Sequence, residues 1–485
     1  MTLFVRLAMH DRSFDLFGDE VIYTDLGRSV ISGGFPRFYG PFFLHGPAFF
    51  YLEAGWARIE GYPGSLMGWI YEMRMLNCVL AGATAVVLVL LTTRASSPRA
   101  GAVVGALYAV EPFCIRQNDR VLLETAMMFW VMLGYLVFTP LIGRLPRRHD
   151  WLRAVGAGLF FGVATLTKDE GVLLTVLPLA AGAVLRWGPR LRLTVLTIAT
   201  TVAVYAAYMA VVFENGYFSI FWQGKTAGVQ RMLGLVQSTG FNSSSGTGGS
   251  LQSRLIAEIA YFGTTYTMLL LAGLAVLVVL FRGDQLQRML GLLYCAAGVT
   301  LAYAVFLGTL EEQELYLLVV PSLVIIPVAA TLLLGGSRYR RRSRRGSSGT
   351  RKLGVAAMGA LLTIALGVNL LTCVRWLLTP DEGFAQLISY VTEHIPAGTP
   401  IAAVNGDIET GYALPDYQVG YWDTRAALAQ AHVRYFVVEW ATVDQGYSDQ
   451  TPAEVQNLVS GGQVLFSFAG RTYGTLVLYQ LPQGR

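Results

Sequence analysis

Long apolar segments, separated by short loops that alternate between strongly basic and almost free of Lys and Arg, constrain this chain more than any other feature. Stretches near the roughly 20 residues needed to cross a bilayer fall at about 75–92, 101–117, 121–142, 191–213, 261–281, 289–310, 315–335 and 353–375. A longer stretch between 154 and 186 is interrupted by Thr167-Lys168-Asp169-Glu170 and reads as two short helices meeting at a polar elbow. Ten spans are therefore expected. Over 485 residues, 54% are hydrophobic and only 14% charged, far more apolar than an ordinary soluble domain. The expected fold class is a polytopic α-helical membrane protein.

The charge distribution orients it. Basic residues gather at Arg94/Arg99, at Arg144, Arg147, Arg148 and Arg153, at Arg186, Arg190 and Arg192, at Arg282/Arg288, and in the run Arg338 to Lys352, which has no acidic residue. Simple alternation of spans puts all of these on one side, which the positive-inside rule assigns to the cytoplasm. The arginine run reads as a solvated loop that orients the protein, and no nucleic-acid partner is expected. The other side then holds 1–72, the turn at 116–120, the elbow, the loop 214–257, the acidic turn at 311–314 and the tail from 377 to 485. Nothing before Asp19 is long or apolar enough to carry 1–72 across, so either a preceding transmembrane helix or an N-out chain of ten helices is expected.

The domain plan is thus a first outer loop (1–72), a helical bundle (73–376) with a flexible outer loop at 214–257, and an outer C-terminal domain (377–485). In that last part, helix-like stretches (FAQLISYVTEHI, TRAALAQA, PAEVQNLVS) alternate with short apolar runs (PIAAV, RYFVVEW, QVLFSF, GTLVLYQL), a small α/β pattern large enough for its own core. Tyr412, Tyr417, Tyr421 and Trp422 there suit either sugar stacking or core packing. The loop 214–257 begins amphipathic and aromatic (YFSIFWQGKTAGVQRML) and continues into NSSSGTGGS, a composition suited to a lid or a connector.

No CxxC, HExxH, Walker A or GxSxG pattern is present, which argues against an ATP-driven pump, a zinc protease and a serine hydrolase. The four cysteines lie in or beside apolar segments and read as small buried hydrophobes. A secondary transporter or lipid flippase would be favoured by inverted repeats, and none is evident.

Ionisable groups at membrane depth are costly and tend to be paired or used. On the outer side these are Asp19 and Glu20; Arg116, Asp119, Arg120 and Glu124; Lys168, Asp169 and Glu170; and Glu311, Glu312 and Glu314. Each alone suits a helix-end salt bridge, whereas the set, spread over four outer loops, points to a site. Asp19-Glu20 open a segment, Val21 to Ile31, of helical apolar spacing, expected to lie at the membrane interface with Asp19 and Tyr23 on a shared side.

In order, the chain shows an Asp-Glu pair followed by Tyr23, His45-Gly46-Pro47 before LHGPAFFYLEAGWARI, RQNDRVLLETAMMFW, TLTKDEGVLL, and EEQELYLLVVP running from the acidic turn through Tyr316. Together these resemble the GT-C class of membrane glycosyltransferases, in the bacterial branch similar to protein O-mannosyltransferases and the lipid A aminoarabinose transferase. The resemblance covers nearly the whole chain and implies a polyprenyl-phosphate-linked sugar as donor and a glycan, lipid or protein hydroxyl as acceptor. It further implies a bacterial inner-membrane location with the site and C-terminal domain outside. By the same resemblance Asp19 acts on the acceptor hydroxyl with Glu20 beside it, and Arg120, Lys168 and Arg116 are candidates for the donor phosphate. Tyr23, Glu124, His45, Glu312 and Tyr316 support them. The chain departs from the pattern in two places: Ile22 stands where an Arg often precedes the Tyr, and His-Gly-Pro replaces His-Pro-Pro, which leaves His45 open to a turn-forming role. No cofactor is called for by the sequence, and a metal requirement is left open, since the carboxylates are able to bind a divalent cation while the nearby Arg and Lys are able to do the phosphate work without one.

Overall fold

The computed structural model describes residues 1–143, 147–236, 251–307, 311–335, 348–404, 408–444, 447–448 and 450–482, without the side chains of 251–254, 312, 335 and 348–355. Three helices precede the bundle: α1 (Thr2–Leu7), α2 (Gly18–Ser29) and α3 (Ala48–Glu60). The bundle follows as α4 (Leu66–Ala95), α5 (Pro98–Val110), α6 (Pro112–Asn118), α7 (Leu123–Phe138), α8 (Asp150–Thr167), α9 (Gly171–Val184), α10 (Leu191–Glu214), α11 (Phe218–Met232), α12 (Leu251–Arg282), α13 (Gln285–Phe306), α14 (Tyr316–Gly335) and α15 (Ser348–Leu378).

Local chemistry sets several of these boundaries. Ser65 caps α4 by accepting from Gly68 N at 3.1 Å, Ser97 caps α5 with Pro98 in its first turn, and Asp284 with Gln287 closes a capping box on α13. The apolar stretch 101–117 is not one helix. Pro112 has no N–H to continue the ladder, Glu111 turns extended, and its carboxylate accepts Cys114 N at 2.6 Å to start α6.

Among the described residues seven helices are long and apolar enough to cross a membrane: Leu66–Ala95, Leu123–Leu141, Leu191–Glu214, Leu255–Arg282, Gln285–Phe306, Gln313–Leu334 and Ala356–His394. Ten is reached only by adding α5, α8 and α9, of 13, 18 and 14 residues. At 1.5 Å per residue α5 and α9 extend about 20 Å, short of the roughly 30 Å hydrocarbon core. The expected elbow falls where α8 ends and α9 begins, with Lys168 in an extended conformation. Val195 and Val202 on α10, Leu270 and Leu274 on α12, and Leu361 and Ile364 on α15 are exposed, an apolar surface suited to lipid.

Among the described residues, the basic loops that follow α4, α9 and α12 gather at one end of the bundle. There Arg94 donates to Leu136 O (2.6 Å), Ser96 Oγ meets Thr331 Oγ1 (2.6 Å), and Gln287 donates to Ala95 O (2.8 Å). The run 338–347, the Gly/Ser run 242–250 and Arg144 lie outside the described residues.

At the opposite end stands the C-terminal part, built of α16 (Gly383–His394), β1 (Pro400–Ala403), α17 (Glu409–Ala413), β2 (Gln418–Gly420), α18 (Arg425–Gln430), β3 (Tyr435–Glu439), α19 (Trp440–Asp444), α20 (Pro452–Val459), β4 (Gln463–Gly470) and β5 (Gly474–Gln480). The sheet order is β2-β1-β3-β5-β4, parallel across β2-β1-β3 and antiparallel across β3-β5-β4. Alternation along the strands sends Ala402, Phe436 and Val438 to one face, where they pack on Leu428, Val455 and Leu458. Ile401, Ala403, Val437 and Leu478 face the other way and share a core with Leu16, Val21, Leu26, Phe49 and Leu123. Only half of this domain's core is its own. Consequently α2 is wedged between bundle and sheet instead of lying on an open membrane surface, with Glu20, Val21, Tyr23 and Leu26 buried.

Candidate active site

The Asp-Glu pair divides because successive helical residues point about 100° apart. Glu20 turns inward and is fully buried. Its two oxygens accept from Arg74 Nε and Nη2, both at 2.7 Å, and one of them also accepts Val121 N at 2.8 Å. Arg74 in addition donates to His10 O, Phe14 O and Asp15 O at 2.8–2.9 Å. Two backbone segments are thus fastened to one bidentate ion pair.

Asp19, partly exposed, faces the acidic turn that precedes α14. Its Oδ2 accepts from Gln313 Nε2 at 2.9 Å, and the same amide donates to Glu311 Oε2 at 3.1 Å. Burial first, and then the negative Glu311, push the Asp19 carboxyl up to about 6; the Gln313 hydrogen bond opposes this, Glu124 adds to it, and Lys168 again opposes.

Around Asp19 lie two ion-pair groups supplied by the elbow. Lys168 Nζ donates to Glu124 Oε1 at 2.5 Å and is 3.7 Å from Glu170. Asp169 accepts from Lys225 Nζ of α11 at 2.6 Å and from Tyr205 OH at 3.0 Å. Lys225 also donates to Leu44 O (3.1 Å), while Arg231, nearly two turns further along α11, pairs with Glu311. So α11 bridges the elbow and the acidic turn, and this part of the loop 214–257 is ordered helix.

The His-Gly-Pro turn closes the group. Tyr23 OH is 3.5 Å from His45 Nε2. Burial and then the cations Lys168, Lys225 and Arg231 hold the imidazole well below its usual range, so it is neutral near pH 7. Gly46 rests on the end of α8, where a Cβ would come within 2.1 Å of Leu166 O.

Asp19, Tyr23, His45, Glu124 and Lys168 thus come together. Arg120 does not join them: its guanidinium lies 4.6 Å from the Phe17 ring centroid and donates to Thr472 Oγ1 in the C-terminal domain at 3.0 Å. Arg116 sits between the rings of Phe113 (4.8 Å) and Phe262 (4.5 Å), 3.6 Å from Glu258. Tyr316 is buried in the bundle, 2.9 Å from both Tyr108 OH and Asn118 Nδ2. The side chain of Glu312 lies outside the described residues. Tyr412 and Tyr417 are occupied in packing: Tyr412 stacks on Phe38 and donates to Asp25, and Tyr417 donates to Val391 O and Ile395 O. Among the described residues no group of three His, Cys, Asp or Glu is arranged to hold a metal ion.

Several participants escaped sequence reasoning. Gln313 is the neutral residue inside an acidic turn and carries no signal of its own. Arg74 lies just before the stretch that begins at 75, although an arginine inside a 30-residue apolar helix is a signal in itself.

Residues 55–221 match the family model of the dolichyl-phosphate-mannose-protein mannosyltransferases, a range that includes Arg74, Glu124 and Lys168 and leaves out Asp19. No curated protein matches by sequence. Among solved structures, ArnT from Cupriavidus metallidurans bound to undecaprenyl phosphate is similar with a TM-score of 0.59 and 15% identity, over 99% of this chain and 96% of that one. The Archaeoglobus fulgidus oligosaccharyltransferase AglB, in complex with an inhibitory peptide and a dolichol-phosphate, is similar with a TM-score of 0.56 and 14% identity, over 97% and 71%. A complex of the A. fulgidus oligosaccharyltransferase with Zn and sulfate gives 0.55 and 12%, over 99% and 74%. At such identities the likeness is one of fold, and it extends over the C-terminal domain as well as the bundle. Over residues 55–221 the chain is similar to the mannosyltransferase family, and over nearly its whole length it has the GT-C fold of ArnT and AglB.

Proposed function

We propose that this chain transfers a sugar from a polyprenyl-phosphate donor to an acceptor hydroxyl, with inversion, on the outer face of a bacterial cytoplasmic membrane. The observation that carries the reading is Asp19: a partly exposed carboxylate whose pKa is raised to about 6, beside the buried Lys168–Glu124 pair. ArnT and AglB, of the same fold, bind undecaprenyl phosphate and dolichol-phosphate respectively, which supports a lipid phosphate as donor.

In the reaction the acceptor oxygen attacks the anomeric carbon as the bond from that carbon to the phosphate oxygen breaks, and the electron pair leaves with the phosphate. The acceptor proton passes to Asp19. A carboxylate raised toward 6 is ionised at neutral pH yet a stronger base than an ordinary aspartate, which is what general-base catalysis needs. The leaving phosphate needs a cation as its charge develops, and Lys168 is the best placed, with Lys225 and Arg231 of α11 able to exchange their present carboxylate partners for phosphate oxygens. Of the two arginines ahead of α7, Arg120 serves the segment that bears Asp19, and Arg116 of α6 lies off the group.

Outer-face action is supported by the loop charges, since the site and the described basic loops lie at opposite ends of the bundle. The test is transfer or hydrolysis by the purified chain in detergent, supplied in turn with polyprenyl-phosphate mannose, arabinose, aminoarabinose and galacturonate. Sugar release from one of them that disappears in Asp19→Asn is the expected result. No release from any, or release undiminished in Asp19→Asn, overturns the reading.

A further inference from the structure

The segment that delivers Asp19 is held from above by the C-terminal domain at nearly every turn. Asp381 N donates to Arg12 O at 2.8 Å, and Arg471 donates to Ser13 O. Asp15 accepts Phe384 N at 3.1 Å, and Asp15 N donates to Thr472 Oγ1 at 3.3 Å. Tyr473 OH donates to Leu16 O at 2.5 Å. Glu409 of α17 lies against Gly18, where its Oε1 is 2.5 Å from the place a Cβ would take, and Tyr412 OH donates to Asp25 Oδ2 at 3.1 Å. From below, Arg74 holds the carbonyls of Phe14 and Asp15.

The grip concentrates on the turn between β4 and β5. Thr472 is oriented by Asp381, which accepts both its N–H (2.9 Å) and its hydroxyl (2.8 Å). That leaves the Thr472 oxygen as acceptor for Asp15 N and for Arg120 Nη2. Arg120 in turn lies over the ring of Phe17, the residue that caps α2. Leu16 O is one residue ahead of the first carbonyl used by the α2 ladder, that of Phe17, so no helical N–H satisfies it and the buried Tyr473 hydroxyl does.

We propose that Thr472 and Tyr473 of the C-terminal domain are positioning residues for Asp19, fixing the start and axis of α2, with Arg120 as the bundle's half of the same clamp. The C-terminal domain is then part of the catalytic framework and not an appended binding module. A displacement of about 1 Å in a reacting group costs up to a hundredfold in rate, and Asp19 stands three residues from Leu16. The roles rest on Asp19 being the base, as argued above, but the clamp itself has a readout independent of activity.

The experiment uses the full chain with Tyr473→Phe, which keeps the ring edge-on to Phe384 (5.3 Å between centroids) and removes only the hydroxyl, and Thr472→Val as a second variant. Amide exchange over residues 15–25 is expected to quicken about fivefold in both. The turnover number should fall about tenfold at an unchanged donor KM, and Arg425→Ala on the far side of the domain should match the parent. Faster exchange with unaltered turnover, slower turnover with unaltered exchange, or a rise in donor KM matching the fall in turnover overturns the proposal. If the parent transfers no sugar at all, the functional reading fails, and exchange over 15–25 alone decides whether the clamp exists: unchanged exchange refutes it.

Discussion

Asp19 and Glu20 are neighbours with opposite demands on their environment, and substitution should separate them. Ionised Asp19 is disfavoured by burial and by Glu311, and its folded value of about 6 lies above the ordinary 3.8. Because the folded value is the higher one, ionisation opposes folding increasingly as pH rises from 3.8 and fully above about 6, so at neutral pH Asp19→Asn should unfold no earlier than the parent while losing about 10²–10⁴ in turnover. Glu20→Gln should do the reverse. It leaves Arg74 buried and charged without its counter-ion, a loss of about 3–5 kcal/mol, seen as early thermal unfolding in detergent. Equal unfolding temperatures for the two variants would refute this division.

The pH profile gives a second residue-scale check. Turnover should rise with pH through a midpoint near 6 as Asp19 ionises. Gln313 donates to the charged form, so Gln313→Ala should move that midpoint upward. An unmoved or lowered midpoint would mean that the limb belongs to another group. Asp19 and Lys168 were legible in the sequence because ionisable residues at the ends of apolar runs are conspicuous. Gln313 was not, since a neutral amide acquires its meaning only from what it faces. The placement of Arg120 was hidden for the same reason: its charge was visible, but its partner Thr472 lies 352 residues away.

Among the elements, the C-terminal strands β1, β3, β4 and β5 and helices α16, α18 and α20 coincide with runs marked by alternation or capping. Three-residue β2 and five-residue α17 and α19 are too short to show a period. The break at Pro112 was hidden by the surrounding apolar residues. The His45-Gly46-Pro47 turn shows how an element-level contact reaches the site. A Cβ on Gly46 would meet Leu166 O at 2.1 Å, and backbone on both sides leaves no flexible end to give way. Gly46→Ala should therefore push this turn off the end of α8, parting Tyr23 from His45 and shifting Lys168 two residues beyond Leu166. We expect about 1–3 kcal/mol of destabilisation together with weaker retention of labelled polyprenyl phosphate. Full retention and a parental unfolding temperature would show that the turn docks elsewhere.

At the scale of the whole molecule, the catalytic reading depends on which compartment receives the end that carries Asp19. The structure separates the two ends of the bundle: ion pairs and the C-terminal domain at one, the described basic loops at the other. By the positive-inside rule we expect the basic end in the cytoplasm. Single cysteines test this in a background lacking Cys78, Cys114, Cys295 and Cys373. Tyr39, 83% exposed, reports on the first loop and the exposed Ser460 on the C-terminal domain; Ser347 reports on the arginine run. With an impermeant thiol reagent on intact cells, Tyr39→Cys and Ser460→Cys should label, and Ser347→Cys should label only after lysis. Labelling of position 347 alone would place Asp19 in the cytoplasm, where a lipid-linked sugar would have to act before crossing the membrane, and outer-face transfer would be refuted. Labelling of 39 without 460 would contradict the shared core of Val21, Leu26, Ile401 and Val437, which requires the first loop and the C-terminal sheet to stand on the same side.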